Sequence, residues 1–251
     1  MQFKTDIRKI SLKLLADNPL LLQNINFSLS ANKIYTILGE NGSGKSTLIK
    51  SLTGLLPKNQ YIVEGEVLFN QLDLLKASEE ELRKIRKYKI KYVFQDSVNS
   101  FDPLKKLGYY FKFPSYNKDE IKNLLEYFLL PDYQKISKMY PFELSGGMAQ
   151  RLTVVLAFAA NPGLIILDEP TSGIDYTLIN LTFLKLKEFV QKNENSILLV
   201  TQDWNFAEKI SDYISLLSDG IPGKFLTTKE FFKQESPIHS SLINEYRNLN
   251  K

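Results

Sequence analysis

Apolar positions along the chain fall into short runs whose spacing switches between the twofold repeat of strands and the longer repeat of helices. Residues 2 to 15 alternate weakly, and residues 21 to 29 alternate again, with Ile25, Phe27 and Leu29 on one side and Leu22, Asn24 and Asn26 on the other. This predicts a meander of strands forming a small antiparallel layer. Ile34-Tyr35-Thr36-Ile37-Leu38 is apolar almost throughout, as a strand buried on both faces should be. Leu48 to Leu52 reads as a helix start that Gly54-Leu55-Leu56-Pro57 ends, and Glu66 to Phe69 is another strand. Ser78-Glu79-Glu80-Glu81 has the form of a capping box opening a helix through Lys87, before a strand at Ile90 to Phe94.

The second half repeats the alternation of elements. Lys118 to Leu130 carries a helical pattern (Ile121, Leu124, Leu125, Phe128) stopped by Pro131-Asp132, and a further helix opens near Ser145 and runs to about Ala160. Strands follow at Leu164 to Leu167, Ser196 to Thr201 and Ile214 to Leu217, with a helix from about Tyr176 to Lys192 between the first two. Thr228 to Asn248 reads as terminal helices. The fold class expected is α/β: a single domain over 1–251, with a core from 1–95 and 161–225, a helical subdomain at about 96–160 inserted into it, and C-terminal helices at 226–251.

Composition narrows the function. The chain has 251 residues, 43% of them hydrophobic, enough for one sizeable core. It has no cysteine, which excludes disulfides, thiolate metal sites and thiol catalysis and fits a reducing compartment. The formal charge of +4, from 32 basic and 28 acidic residues, argues no nucleic-acid footprint, and the basic run Arg83 to Lys91 reads as a solvated helix face. Met1 to Lys13 has no signal-peptide core, and the apolar run Leu152 to Ala160 falls far short of the ~20 residues a transmembrane helix needs, so membrane association is expected only through a partner.

The chemistry concentrates in Gly39-Glu40-Asn41-Gly42-Ser43-Gly44-Lys45-Ser46-Thr47, between a buried strand and a helix. Glycines there allow a tight turn whose amide groups can approach phosphate oxygens, Lys45 supplies a mobile positive charge, and the Ser46 hydroxyl suits Mg²⁺. The strand at Leu164 to Leu167 ends in Asp168-Glu169, paired carboxylates that are costly at a buried strand end unless a metal or catalysis uses them. Gln95 follows another strand, and Ser145-Gly146-Gly147 open a helix whose N-terminus favours an anion. Phe27 and Tyr35, the aromatics between Phe3 and the loop, fall in predicted strands, so no residue is assigned to stack on a nucleotide base.

In this order the motifs resemble the ATP-binding subunit of an ABC transporter over nearly the whole chain. GENGSGKST is similar to the family's phosphate loop, Gln95 to its Q-loop, LSGGMAQ at 144–150 to its signature, and LIILDE at 164–169 to its Mg²⁺ and general-base strand. VFQDSVNSFDP and YPFELSGGMAQR resemble most the peptide and nickel importer group. The resemblance implies a P-loop NTPase core using ATP and Mg²⁺. Ser46, Gln95 and Asp168 would hold the metal, and Glu169 would accept a proton from the attacking water. Lys45 would neutralise the phosphates, while Ser145, Gly146 and Gly147 would contact the γ-phosphate held by a second cassette, with Asp175 at that dimer seam. Partners implied are a second, paralogous cassette, transmembrane permease subunits and, indirectly, an extracytoplasmic substrate-binding protein, with the chain at the cytoplasmic face of the membrane.

Two departures stand out. The family places a histidine after the strand ending in Val200-Thr201, where this chain has Gln202; its one histidine, His239, lies near the C-terminus. A glutamine amide donates a hydrogen bond but carries no proton or charge, so slow hydrolysis is expected at this chain's own phosphate loop, with a partner cassette carrying the competent site. The chain also ends without the cysteine-bearing extension common in peptide importers of the group, which favours nickel or metal chelates as cargo. The alternatives are a weakly hydrolysing regulatory cassette of a heterodimeric system and a soluble ABC ATPase outside transport.

Overall fold

The computed structural model describes residues 2–13, 18–113, 116–171, 176–192 and 194–233. Strands β1 (Phe3–Leu12), β2 (Leu20–Leu29), β4 (Tyr61–Phe69) and β5 (Leu72–Asp73) form an antiparallel sheet in the order β2-β1-β4-β5. Strands β3 (Ile34–Leu38), β6 (Ile90–Val93), β7 (Leu164–Asp168), β8 (Ser196–Thr201) and β9 (Tyr213–Ser218) form a parallel sheet in the order β9-β3-β8-β7-β6. Two short strands, β10 (Ile221–Pro222) and β11 (Leu226–Thr227), pair antiparallel with β9. The helices are α1 (Lys45–Ser51), α2 (Glu79–Tyr88), α3 (Lys118–Tyr127), α4 (Tyr133–Ile136), α5 (Gly146–Ala159), α6 (Tyr176–Lys192), α7 (Trp204–Ile210) and α8 (Thr228–Phe231).

The parallel sheet is a wall shared by two cores, which is why β3, β7 and β8 are buried along their whole length. On one side Leu164, Ile166, Leu198 and Val200 pack with Phe3 and Ile7 of the antiparallel sheet and Leu48 and Ile49 of α1. On the other, Ile165, Leu167, Ile197 and Leu199 pack with Leu124 of α3 and Leu152 and Val155 of α5. The chemistry-bearing loops thus leave one end of a strand set that is held from both faces.

The antiparallel layer departs from simple alternation. Leu22, which plain alternation sets with the polar residues, is fully buried together with Ile25. Asn24 between them takes a left-handed φ of 56°, which turns the strand so that residues three apart share the core side. In β1, Ile7 and Ile10 are likewise both buried, and pairing with β4 shifts register between Ile7 and Lys9. The extra residue, Arg8, falls beside Gly65 (φ 141°), where a Cβ would lie 2.2 Å from the Asp6 carbonyl oxygen, so only glycine fits. The twist delivers Leu22 beneath the phosphate loop: a Cβ on Gly44 would lie 2.8 Å from Leu22 Cδ2.

The region 96–160 is less helical than its pattern predicts. Among the described residues of 96–117 there are two 3₁₀ turns, Val98–Ser100 and Leu107–Lys112, and no α-helix. Side chains there compete for the backbone: Asp96 accepts the Asn99 N–H at 3.4 Å, and Asp102 accepts the Leu104 N–H at 3.0 Å. α3 and α5 form as expected, capped by Asn117 and Ser145, and the Ser78–Glu81 capping box closes in full. α1 begins three residues before its predicted start. α7 is an addition, capped by Asp203, which accepts the Phe206 N–H at 2.9 Å. Of the terminal helices only α8 lies among the described residues, and His239 and Asp175 lie outside them.

Candidate nucleotide site

The strand-loop-helix order around Gly39–Thr47 is the one the motif requires: β3 enters, the loop turns through Gly42 (φ 81°) and Gly44 (φ 99°), and α1 leaves at Lys45. A cavity of about 280 Å³ opens against the loop, walled by Asn41, Gly42, Lys45, Ser46, Gln95 and Glu169 among others. Residues from three separate strand ends, 39–47, 95 and 168–169, therefore meet at one place.

Lys45 is the most enclosed cation of the site, 6% exposed. Its Nζ donates to the carbonyl oxygens of Gly39 at 2.9 Å and Glu40 at 3.0 Å, and lies 3.2 Å from Glu169 Oε1. That approach is an ion pair without hydrogen-bond alignment, so Glu169 Oε1 receives no hydrogen bond. The other oxygen, Oε2, accepts the main-chain N–H of Gln202 at 3.3 Å. Glu169 itself sits at φ 48°, a left-handed backbone costly for a residue with a side chain, and its N–H donates to the Val200 carbonyl. Its carbonyl and that of Pro170 face the buried Gln150 amide of α5, at 3.4 and 3.0 Å.

Asp168, 3% exposed, is held on both oxygens: Ser46 Oγ donates to Oδ1 at 2.9 Å and the Tyr92 hydroxyl donates to Oδ2 at 2.9 Å. Burial, and after it the Asp168 charge, push the Tyr92 hydroxyl far above the usual phenol range, so it stays a donor at neutral pH. Beside this pair a second cavity of about 340 Å³ is walled by Ser46, Lys50, Gln95 and Asp168. Its donors toward a cation are a hydroxyl, an amide oxygen and a carboxylate, all hard oxygens, and among the described residues no group of three acidic or histidine side chains gathers to bind a metal. That set fits Mg²⁺, which takes few protein oxygens and fills its shell with phosphate and water.

The remaining candidates are apart from this centre. Gln202 is exposed and lines a different cavity, of about 560 Å³, with Glu40 to Ser43 and Trp204. Ser145, Gly146 and Gly147 begin α5 and do not wall any of the three cavities at the loop. Phe27 and Tyr35 are spent in the core, Tyr35 stacked on Tyr213 at 5.1 Å and both rings edge-on to Phe225. Tyr92 and Gln150 carry contacts to both carboxylate residues that the motif reading did not assign. The one sequence signal for Tyr92 was its position on the strand that delivers Gln95.

Comparison with known proteins points to one family. The family profile for the ABC transporter matches residues 22–172. The chain is 34% identical over 234 residues to the dipeptide transport ATP-binding protein DppD of Lactococcus lactis subsp. cremoris strain MG1363, covering 89% of this chain and 67% of that one. It is 33% identical over 221 residues to the oligopeptide transport ATP-binding protein OppD of Bacillus subtilis strain 168, covering 84% and 62%. It thus spans about two thirds of the length of these curated relatives. Among solved structures, the post-hydrolysis dimer of the ATP-binding cassette MJ0796 bound to ADP and Pi superposes with a TM-score of 0.76 at 26% identity, covering 90% of this chain and 98% of that one. The chain belongs to the ABC transporter family, as one of its ATP-binding cassettes.

Proposed function

We propose that this chain is the ATP-hydrolysing, energy-coupling subunit of an importer for peptides, the cargo in the names of its relatives, with nickel or metal chelates as the second cargo class. The observation that carries the reading is the meeting of Lys45, Ser46 and Glu169 at one cavity beside the phosphate loop, with Asp168 bonded to Ser46 at the adjoining cavity.

Each residue has a role its chemistry can perform. The loop from Gly39 to Thr47 cradles the phosphates, and Lys45 exchanges its ion pair with Glu169 for phosphate oxygens as they enter. Ser46, Asp168 and Gln95 hold Mg²⁺, which when bound neutralises charge on the transferring phosphoryl group. Glu169, fixed by Gln202 N–H and by its own left-handed backbone, accepts a proton from the attacking water. The Gln202 amide stands where the family has histidine and donates to the γ-phosphate. Ser145, Gly146 and Gly147, at the N-terminus of α5, meet the nucleotide of a second cassette, a paralogous subunit.

The chain acts as a single cassette, 1–251, with 96–160 as its helical subdomain. No described helix is long and apolar enough to cross a membrane, so permease subunits hold it at the cytoplasmic face, and an extracytoplasmic binding protein delivers the cargo to them. A second reading, a regulatory cassette that hydrolyses weakly, draws on the uncharged, exposed Gln202.

The test is steady-state ATP hydrolysis by the purified chain with Mg²⁺, beside Glu169→Gln. Turnover that Glu169→Gln lowers by about 10²-fold or more supports the main reading. Nucleotide binding with turnover no higher than that of Glu169→Gln supports the regulatory one, and no binding at millimolar ATP overturns both. Sedimentation with membranes only when the permease genes are present tests the placement.

A further inference from the structure

Asp168 is one of the most buried carboxylates in the chain, and the residue that satisfies its outer oxygen comes from the neighbouring strand rather than from the phosphate loop. β6 and β7 pair in parallel with Tyr92 opposite Ile166, so Tyr92 and Asp168 lie on one face of the sheet, two positions apart along the strands. Diagonal neighbours of this kind sit roughly 7–8 Å apart at their backbones, a gap that a tyrosine spans and a shorter side chain does not. The ring packs with the core on the Ile166 side and against Phe94 at 4.4 Å, which leaves the hydroxyl aimed at Oδ2 from a fixed base.

We propose that Tyr92 is a positioning residue for the metal site: its hydroxyl fixes the rotation of the Asp168 carboxylate so that Oδ1, beside Ser46, is presented to the divalent cation. The inference rests on the reading of Asp168 as a metal-holding residue. A carboxylate turns easily about its last torsion, and with Oδ2 undonated Asp168 would be both unsatisfied and free to swing away from Ser46. Groups that hold a metal ligand from behind typically contribute 10- to 100-fold in metal affinity. The donor here is a neutral phenol on a carboxylate, a charge-assisted bond, so its loss should be felt at the metal rather than at the nucleotide. Gln95 lies two residues beyond the end of the same strand, so Tyr92 and Gln95 both reach the site from the end of β6.

The experiment titrates Mn²⁺ or Mg²⁺ into the purified chain and reads binding of a fluorescent ATP analogue, with no turnover required. Native protein, Tyr92→Phe and Asp168→Asn are compared, and thermal melting without divalent ion is recorded for each. Tyr92→Phe should raise the half-saturating divalent concentration on the order of tenfold while binding of the analogue without divalent ion stays within about twofold of native. A Tyr92→Phe variant that melts lower yet keeps the native divalent requirement overturns the proposal, since its role is then packing alone. If Asp168→Asn keeps the native requirement, the metal assignment of Asp168 fails, and the proposal with it. If Asp168→Asn raises the requirement and Tyr92→Phe does not, only the role of Tyr92 fails. Should Tyr92→Phe not fold, Tyr92→Leu is read by the same two criteria.

Discussion

Gln150 and Pro170 are joined through a buried hydrogen bond, the Gln150 Nε2 donating to the Pro170 carbonyl at 3.0 Å while approaching the Glu169 carbonyl at 3.4 Å. The helix that begins at Gly146 thereby grips the two peptides on either side of Pro170, directly after Glu169, the proposed general base. Removing the amide leaves two buried acceptors unpaired and releases a backbone held at φ 48°. Gln150→Leu should lower kcat for ATP about tenfold with KM within about twofold, because the bonds act on Glu169 and not on the phosphates. Steady-state kinetics decide it, and a rise in KM with kcat intact would refute this account.

Gln202 contributes a main-chain N–H to Glu169 and leaves its side chain at a different cavity wall. Gln202→His keeps the main-chain bond and adds a group able to carry charge, so hydrolysis should rise several-fold where this cassette's own site limits the rate. Equal turnover by native and Gln202→His protein in the homodimer and in the assembled transporter would end the idea of a weak half-site.

Much of this site was legible in the chain before folding, and the division between what was and what was not is physical. The phosphate loop, Asp168 and Glu169 are local patterns: a turn that needs glycines, and acids at the end of a buried run. Tyr92 with Asp168, 76 positions apart, and Gln150 with Glu169, 19 apart, meet only through strand pairing and helix packing. Leu22 was placed on the wrong face because nothing in the alternation announces that Asn24 adopts a left-handed φ. α7 went unseen because its seven residues are too few to display a period, although its Asp203 cap was in plain sight.

Gly65 should tolerate no side chain. A methyl group there meets the Asp6 carbonyl at 2.2 Å in a backbone conformation that L-residues avoid, so Gly65→Ala should cost about 3 kcal/mol or more. Denaturant melts with the slope held constant measure it. Loss below about 1 kcal/mol would mean that the bulge can move to another position.

Tyr116 ties the helical region to α5 by donating to the Leu156 carbonyl at 3.1 Å, and burial pushes its hydroxyl up to about 12. An unfolded tyrosine ionises near pH 10, so the folded chain holds this proton more tightly than the unfolded one. The contribution is complete below pH ~10 and is lost as pH rises from there to ~12, by about 3 kcal/mol at most. Tyr116→Phe should be less stable than native protein at pH 7 yet lose less between pH 9 and 11. Parallel slopes in the two proteins would remove Tyr116 from the alkaline transition.

The two-faced wall at the centre of the fold makes the length of β7 an arithmetic constraint. Its residues alternate between the two cores, and Asp168 continues the side that carries Leu164 and Ile166 toward Ser46 and Tyr92. Deleting a single residue between Leu164 and Leu167 would reverse the parity of everything after it, turning Asp168 toward α5 and exposing aliphatic side chains to the wrong layer. Substitutions can drift along this strand while its aliphatic character lasts, but insertions and deletions cannot, so the count of residues between Gly163 and Asp168 is held by the fold.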